Sequence, residues 1–501
     1  MEMLHNLAYG FSIVLEPSRL LICFLGVLIG TLIGVLPGIG PSATVAILLP
    51  VSISMGAADA MILLAGIYYG SMYGGSTTSI LVNMPGESAS VVTCIDGYQM
   101  ARQGRAGVAL GMSAFGSFIG GTVGVLGLML LAPPLSEFAL RFGPPEYFAM
   151  VLCGFCILIS IGSGSKLKAL LIALFGMFLS EIGTDLVTGQ QRFTFGSMTL
   201  IDGIPLVPMV MGLFGISEVL LNLETKFDRV VLTSNIRNLL PNREDWKASL
   251  SPIARGTVLG FFLGLLPGGS ATLASFASYG LEKRVSKHPE KFGKGAIEGV
   301  AGPETANNAA TSSAFVPMLT LGIPANPVMA LIMAALLSHG LQPGPLLMVK
   351  SPDVFWAIII SMYVGNIMLV VLNVPLIGIW VKLLKIPYAV LFPLILLFCL
   401  IGAYSTSSNA EDVIIMIIFG VVGYLMRKFE YEPVPLVFAF ILTPLLERAL
   451  RQSLVMSDGG FAIFLRPPIA LGFMIVAFVL IVLLILPLVR NRLSRAGGLQ
   501  R

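Results

Sequence analysis

Gly30-Thr-Leu-Ile-Gly34-Val-Leu-Pro37-Gly38 returns 230 residues later as Gly260-Phe-Phe-Leu-Gly264-Leu-Leu-Pro267-Gly268. Each copy is an apolar run closed by Pro-Gly. Proline lacks the N–H that the helical ladder needs, and glycine frees the backbone to turn. Three further matches follow in the same order. Ser42-Ala43-Thr44 pairs with Ser270-Ala271-Thr272, and residues 212–218 pair with 441–447. Between them, Ser76-Thr77-Thr78-Ser79 before Met84-Pro85-Gly86 resembles Thr311-Ser312-Ser313 before Ile323-Pro324-Ala325. Gly-rich membrane helices resemble one another by chance, but four ordered matches at nearly one offset point to duplication.

The composition says what medium these copies occupy. Hydrophobic residues make up 56% of the 501 positions and charged ones 11%, against the ~25% charged of a soluble globular chain. Most of the surface therefore faces something other than water. Apolar runs at 106–131, 167–179, 354–384, 413–426 and 469–489 approach the ~20 residues that cross a ~30 Å hydrocarbon core. Only helices and closed barrels satisfy their backbone there, and these runs are continuous rather than alternating. The expectation is an all-α polytopic membrane protein. A net charge of +4 gives no case for nucleic acid. Cys153-Gly-Phe-Cys156 has metal or redox spacing, but neither a second pair nor a histidine accompanies it, and Cys23, Cys94 and Cys399 also stand in or beside apolar runs. Helix packing is the better reading. Residues 1–18 lack the basic start of a cleavable signal peptide.

Lysine and arginine orient the two copies, because short cytoplasmic loops collect them. The 282–294 loop carries Lys283, Arg284, Lys287, Lys291 and Lys294, while its counterpart at 52–60 has none. Conversely, Arg102 and Arg105 have no basic counterpart at 335–344, and Lys166 and Lys168 correspond to the neutral-to-acidic 405–412. Arg427 and Lys428 correspond to 196–198, again without a basic residue. Equivalent loops lie on opposite sides, so the repeat is inverted. Placing 97–105, 163–168, 222–252, 281–295, 382–386, 427–433 and the tail in the cytoplasm leaves Arg448 and Arg451 as exceptions. Segment 253–280 then enters and returns, a re-entrant hairpin with its tip at 265–270. By the repeat, 20–50 is a second hairpin from the other side, with its tip at 36–41. The organisation expected is a first repeat at 1–221, a cytoplasmic linker at 222–252, and a second repeat at 253–501 with a basic cytoplasmic tail. Re-entrant hairpins and broken helices bring the count to roughly 12 membrane segments.

Irregular backbone is tolerated at membrane depth only when buried in protein or lining a wet cavity. In inverted-repeat transporters such broken elements hold substrate and ion near the midplane. Gly38, Gly40, Ser42 and Thr44, with Gly268, Gly269, Ser270 and Thr272, are candidate substrate ligands. Ser76, Thr77, Thr78, Ser79 and Asn83, with Asn307, Asn308, Thr311 and Ser312, are candidates for ion or substrate. Hydroxyls and amides donate to carboxylate oxygens and offer oxygen to sodium without the burial of a charge. Gly, Ser, Thr and Asn also serve as ordinary packing residues; four clusters at repeat-related breaks favour a site. Acids near membrane depth are sparse: Glu87, Glu181, Asp185, Glu218, Glu298, Glu304 and Glu447. Glu87 and Glu304 adjoin the polar clusters and are the candidate coupling carboxylates, each standing either at depth or at the interface. Enzyme motifs fail: Gly162-Ser-Gly-Ser-Lys166 lacks the rest of a P-loop, and His5, His288 and His339 form no zinc pair. No cofactor is expected, only a coupling ion, sodium or proton.

The runs Gly-Val-Leu-Pro-Gly-Ile-Gly-Pro-Ser-Ala-Thr (34–44), 69–87, 96–107 and 292–310 resemble the large permease subunit of tripartite tricarboxylate transporters, over essentially the whole chain. The resemblance implies a bacterial inner-membrane importer of carboxylates driven by an ion gradient, without enzyme activity. Its partners would be a small four-helix membrane subunit and a periplasmic solute-binding protein. Thr311-Ser312-Ser313 departs from the small residues that follow the Asn pair in that family. A channel, or a scaffold subunit with no pathway of its own, stays compatible with the residues.

Overall fold

Proline and glycine mark several of the helix starts and stops. The computed structural model describes residues 2–36, 40–161, 165–185, 188–224, 239–384 and 388–497. In chain order the helices are α1 (Glu2–Val14), α2 (Pro17–Val35), α3 (Gly40–Ile53), α4 (Ala57–Val82), α5 (Val91–Met100), α6 (Ala106–Ala139), α7 (Pro144–Ile161) and α8 (Lys166–Ser180). Then come α9 (Leu206–Val210), α10 (Ser217–Glu224), α11 (Arg243–Gly264), α12 (Ala271–Val285), α13 (Glu298–Ser313), α14 (Phe315–Leu321) and α15 (Pro327–Ser338). Last are α16 (Leu347–Lys350), α17 (Pro352–Asn373), α18 (Ile377–Leu383), α19 (Tyr388–Ser407), α20 (Ala410–Lys428), α21 (Val434–Met456) and α22 (Pro468–Gly497). Helices α2, α15 and α17 open on Pro17, Pro327 and Pro352, where a missing N–H is harmless. Among the described residues, strand pairing is confined to Gly183–Thr184 against Gln191–Arg192.

Four helical stretches among the described residues are long and apolar enough to cross a membrane: Pro17–Val35, Ser88–Ala139, Leu206–Glu224 and Pro352–Asn373. Shorter apolar helices, such as Gly40–Ile53 and Pro327–Ser338, carry much of the remaining hydrophobic sequence. The apolar run 354–384 is two helices, because Pro375 cannot donate to the ladder between α17 and α18. Trp380 Nε1 donates to Leu372 O across that break at 2.8 Å. Of the polar stretch 222–252, residues 225–238 lie outside the described residues. Its last part is the start of α11, opened by reciprocal hydrogen bonds between Asn242 and Asp245.

The chain forms two compact units, Met1–Ser136 with Pro205–Leu425, and Glu137–Ile204 with Met426–Arg501. In the first, α2 lies against α4 along two facing rows of glycine. A Cβ on Gly66 would stand 3.1 Å from Gly26 Cα, one on Gly70 3.2 Å from Gly30 Cα, and one on Gly74 3.0 Å from Gly34 Cα. Lipid tails are as apolar as leucine, so helices in membranes gain by such close backbone approach rather than by hydrophobicity. The same ladder recurs between α11 and α13. There Gly256, Gly260 and Gly264 face Gly302, Ala306 and Ala310, with a Cβ on Gly260 or Gly264 only 2.7 Å from the Cα of Ala306 or Ala310.

The breaks also correspond. Helix α4 ends on Asn83 in the left-handed region (φ 58°), and α14 ends on Gly322 there (φ 71°). Asparagine and glycine are the residues that tolerate this conformation. Met84-Pro85-Gly86 and Ile323-Pro324-Ala325 follow, and each is succeeded by a cap. Glu87 accepts from Ala89 N at 2.6 Å, and Asn326 accepts from Met329 N at 3.0 Å. The α11–α12 turn meets the second break directly: Gly268 N donates to Ala325 O at 2.8 Å. Of the first expected tip, residues 37–39, including Gly38, lie outside the described residues.

In the second unit α21 packs on both α7 and α8, and α22 packs on α7. Cys153 and Cys156 lie against Ala477 in that last contact. Gly176 of α8 abuts the backbone of Leu436, where a Cβ would be 2.9 Å from Leu436 Cα.

Candidate functional site: a buried polar seam between α4 and α13

Helix α4 is buried along nearly its whole length and α13 from Gly299 to Ser313. Helices buried all round are normally apolar. These two carry Ser76, Thr77, Thr78, Ser79 and Glu304, Asn307, Asn308, Thr311, all buried. At about 100° per residue, Glu304, Asn307, Asn308 and Thr311 share one face of α13. That face meets α4. Ser76 Oγ donates to Glu304 Oε2 at 2.6 Å, and Tyr68 interacts with Thr311. The pairings 76 with 304 and 68 with 311 make the two helices antiparallel, with Asn307 between the two contacts.

Glu304 is 1% exposed and collects hydroxyls from three helices. Besides Ser76 of α4, Thr93 of α5 donates to Oε1, and Ser113 and Ser117 of α6 stand within interaction range. Asn308 Nδ2 donates to Ser117 Oγ at 2.8 Å and to Glu304 O at 3.0 Å. Glu87 is also buried. Its Oε2 takes the Ala89 N–H, while Oε1 has no partner. The break carrying it folds onto α4: a Cβ on Gly75 would stand 2.8 Å from Glu87 Cγ. Among the described residues, neither carboxylate has a lysine or arginine in hydrogen-bond or ion-pair contact. Asn307 is fully buried, and neither its amide oxygen nor its nitrogen has a partner.

The other expected ligands divide by what they touch. Thr78 Oγ1 donates to Val35 O at 2.5 Å, tying α4 to the end of α2. Ser312 Oγ reaches Gly121 O at 3.2 Å on α6. Ser79, Thr44 and Thr311 return to their own helices at Gly75 O, Gly40 O and Asn307 O, the usual use of such residues in a helix. Thr77 is buried in α4 and Ser42 half-buried at the start of α3, where Gly40 has a φ of 65°. Ser270 Oγ caps α12 at Leu273 N, 3.1 Å away, and Gly269 shapes the turn before it. Thr272 Oγ1 lies 2.8 Å from Ser88 Oγ, a contact between the start of α12 and the break after α4. Asn83 is exposed at the end of α4, where it serves the backbone.

Sequence reasoning missed Asp96. It is fully buried, its Oδ1 accepts from Gly293, Gly295 and Ala296 N at 2.7–2.9 Å, and its Oδ2 accepts from Tyr279 OH at 2.9 Å. The turn leading into α13 is thereby fixed to α5, the helix whose Thr93 contacts Glu304. The available signal was the three-residue spacing of Thr93 and Asp96, which places both on one helix face. Also missed was Tyr73, whose OH donates to Asn366 Oδ1 of α17 at 2.8 Å.

Three other acids near membrane depth are compensated, all in the second unit. Arg192 pairs with Glu181, with Asp185 at 2.5 Å and with Glu447 at 2.9 Å. Arg451 pairs with Asp185 at 3.1 Å and Glu447 at 2.7 Å. In the loop after α8, burial pushes the Glu181 carboxyl above its ordinary value, Glu447 adds to this, and Arg192 opposes it.

Interrupted apolar helices around a buried polar seam define a polytopic α-helical membrane protein. The Tripartite tricarboxylate transporter TctA family matches residues 20–438, so the chain belongs to that family and is a component of a tricarboxylate transporter. It is a family of transporters rather than enzymes, and membership implies a system with other components. An uncharacterized 52.8 kDa protein of the TAR-I ttuC' 3' region of Agrobacterium vitis is 51% identical over 98% of both chains. An uncharacterized protein of the TAR-II ttuC' 3' region of the same organism is 51% identical over 46% of this chain and 96% of its own length. No solved structure matches the chain.

Proposed function

We propose that the chain carries out ion-gradient-driven uptake of a carboxylate across the bacterial inner membrane by alternating access, with the α4–α13 seam as its ion and solute site. The observation that carries this reading is the set of buried groups without compensation: Glu304 and Glu87 with no cation, and Asn307 with no hydrogen-bond partner. A buried carboxylate without a cation is several kcal/mol unfavourable unless a proton or metal cation accompanies it. An orphaned buried amide is unfavourable by a further ~1–3 kcal/mol. A cation, sodium or proton, and a solute carboxylate together would satisfy all three residues. Ser42, Thr44, Ser270 and Thr272, with nearby N–H groups, supply donors suited to the carboxylate. The recurrent glycine ladders and the opposed loop charges support an inverted repeat, 1–221 against 253–501, with the tail in the cytoplasm. A periplasmic binding protein would deliver the solute, and a small four-helix subunit would complete the complex.

Proteoliposome uptake of a radiolabelled carboxylate panel, with the binding protein supplied, tests the reading. Uptake is expected to require a sodium or proton gradient and to fall at least tenfold, more than ~1.4 kcal/mol, in Asn307→Ala and Thr77→Ala. Unchanged uptake in both variants removes the site. Flux that needs no gradient makes the protein a channel.

A further inference from the structure

The second unit contains a cavity that transport leaves unused. Helices α7 and α8 both pack on α21, yet a gap of about 400 Å³ remains between their facing sides. Leu152 and Ile159 line it from α7, Leu170 and Met177 from α8, and Ile481 from α22. Lys166, in the first turn of α8, is the sole charged residue on this lining.

Its dimensions and chemistry identify an occupant. From Lys166 to Met177 the groove follows α8 for ~16 Å at ~1.5 Å per residue, about half of a ~30 Å hydrocarbon core, or one leaflet. Water does not fill an apolar space of this kind, because it finds no polar partners there. Leu170 and Ile481 at the lips are 42% and 38% exposed, so the groove opens on a surface that hydrocarbon covers in a bilayer. The charged end lies where a headgroup would be, on the side that the loop charges assign to the cytoplasm. Anionic lipids concentrate in that leaflet, and a lysine near the surface attracts them.

We infer that the groove between α7 and α8 is a phospholipid site, one acyl chain lying along it and an anionic headgroup phosphate held at Lys166. It requires neither an ion nor a solute and shares with the transport reading only the sidedness of the loops.

The full chain, reconstituted in bilayers of equal phosphatidylglycerol and phosphatidylcholine and released in mild detergent, is examined by native mass spectrometry. The wild type is expected to retain one phospholipid per chain, with phosphatidylglycerol preferred. Ile159→Trp fills the groove and should lose the lipid; Leu170→Trp, at the lip, repeats the test should the first variant fail to fold. Lys166→Gln should keep a lipid while its headgroup preference drops about fivefold, the effect of one lysine near the surface. The site is overturned by a wild type that retains no lipid, by full retention in the folded tryptophan variants, or by an unchanged headgroup preference in Lys166→Gln. A second membrane chain that shields the groove from lipid also overturns it.

Discussion

Asn307 and Asp96 are both fully buried in the first unit, and they stand at opposite extremes of hydrogen bonding. Asp96 accepts four bonds, three from backbone N–H groups and one from Tyr279. Asn307 accepts and donates none through its amide. Substitution should separate their roles. Asp96→Asn can keep an amide oxygen against the three backbone N–H groups but removes the charge, and the weakening of charge-assisted bonds worth ~1.5–3 kcal/mol each should lower the melting temperature in detergent clearly. Asn307→Leu is similar in size and removes two unsatisfied polar atoms, so its melting temperature should hold or rise. Uptake should nonetheless be lost in Asn307→Leu. A marked loss of stability there would mean that Asn307 serves the fold rather than a ligand.

The elements of the first unit are joined backbone to backbone. The α2–α4 and α11–α13 pairs approach so closely that a side chain on the facing glycines has nowhere to go. Gly70→Val and Gly260→Val should each destabilise the protein by ~1–3 kcal/mol or more through overpacking, read as thermal midpoints in nanodiscs. Gly280 of α12 is the control: nothing lies within 4 Å of a Cβ there, and Gly280→Ala should be neutral or stabilise by ~0.5–1 kcal/mol. Equal losses at the ladders and at Gly280 would mean that the close approach contributes nothing. Several helix ends were legible at this scale because helix breakers act locally, as at Pro85-Gly86 and Pro267-Gly268. Glycine ladders of the same kind join α2 to α4 and α11 to α13. They also account for the glycines of the opening segment, Gly30 and Gly34, as contact positions rather than turn positions.

For the molecule as a whole, an inverted repeat has a direct consequence for sidedness. In a cysteine-free background, Arg102→Cys and Lys287→Cys should react with a membrane-impermeant maleimide from the cytoplasmic side. Ser54→Cys and Ser338→Cys, in the equivalent loops, should react from the outside, as the lysine and arginine bias requires. Labelling of all four from one side would make the halves parallel. From the sequence alone came the membrane-embedded helical class, the positions of several helix breaks and the polar clusters beside them. Each of these resides in composition or local pattern. Tertiary structure decided which acids are compensated. Proximity to the polar clusters set Glu304 apart from Glu181, Asp185 and Glu447 in sequence, but not their compensation: Arg192 and Arg451 reach those three, whereas Glu304 meets hydroxyls of Ser76 and Thr93. It also separated Asn83, exposed at a helix end, from Asn307, buried without a partner. Compensation of a buried polar group depends on which helices meet around it, often more than 200 positions away, and no local pattern contains that.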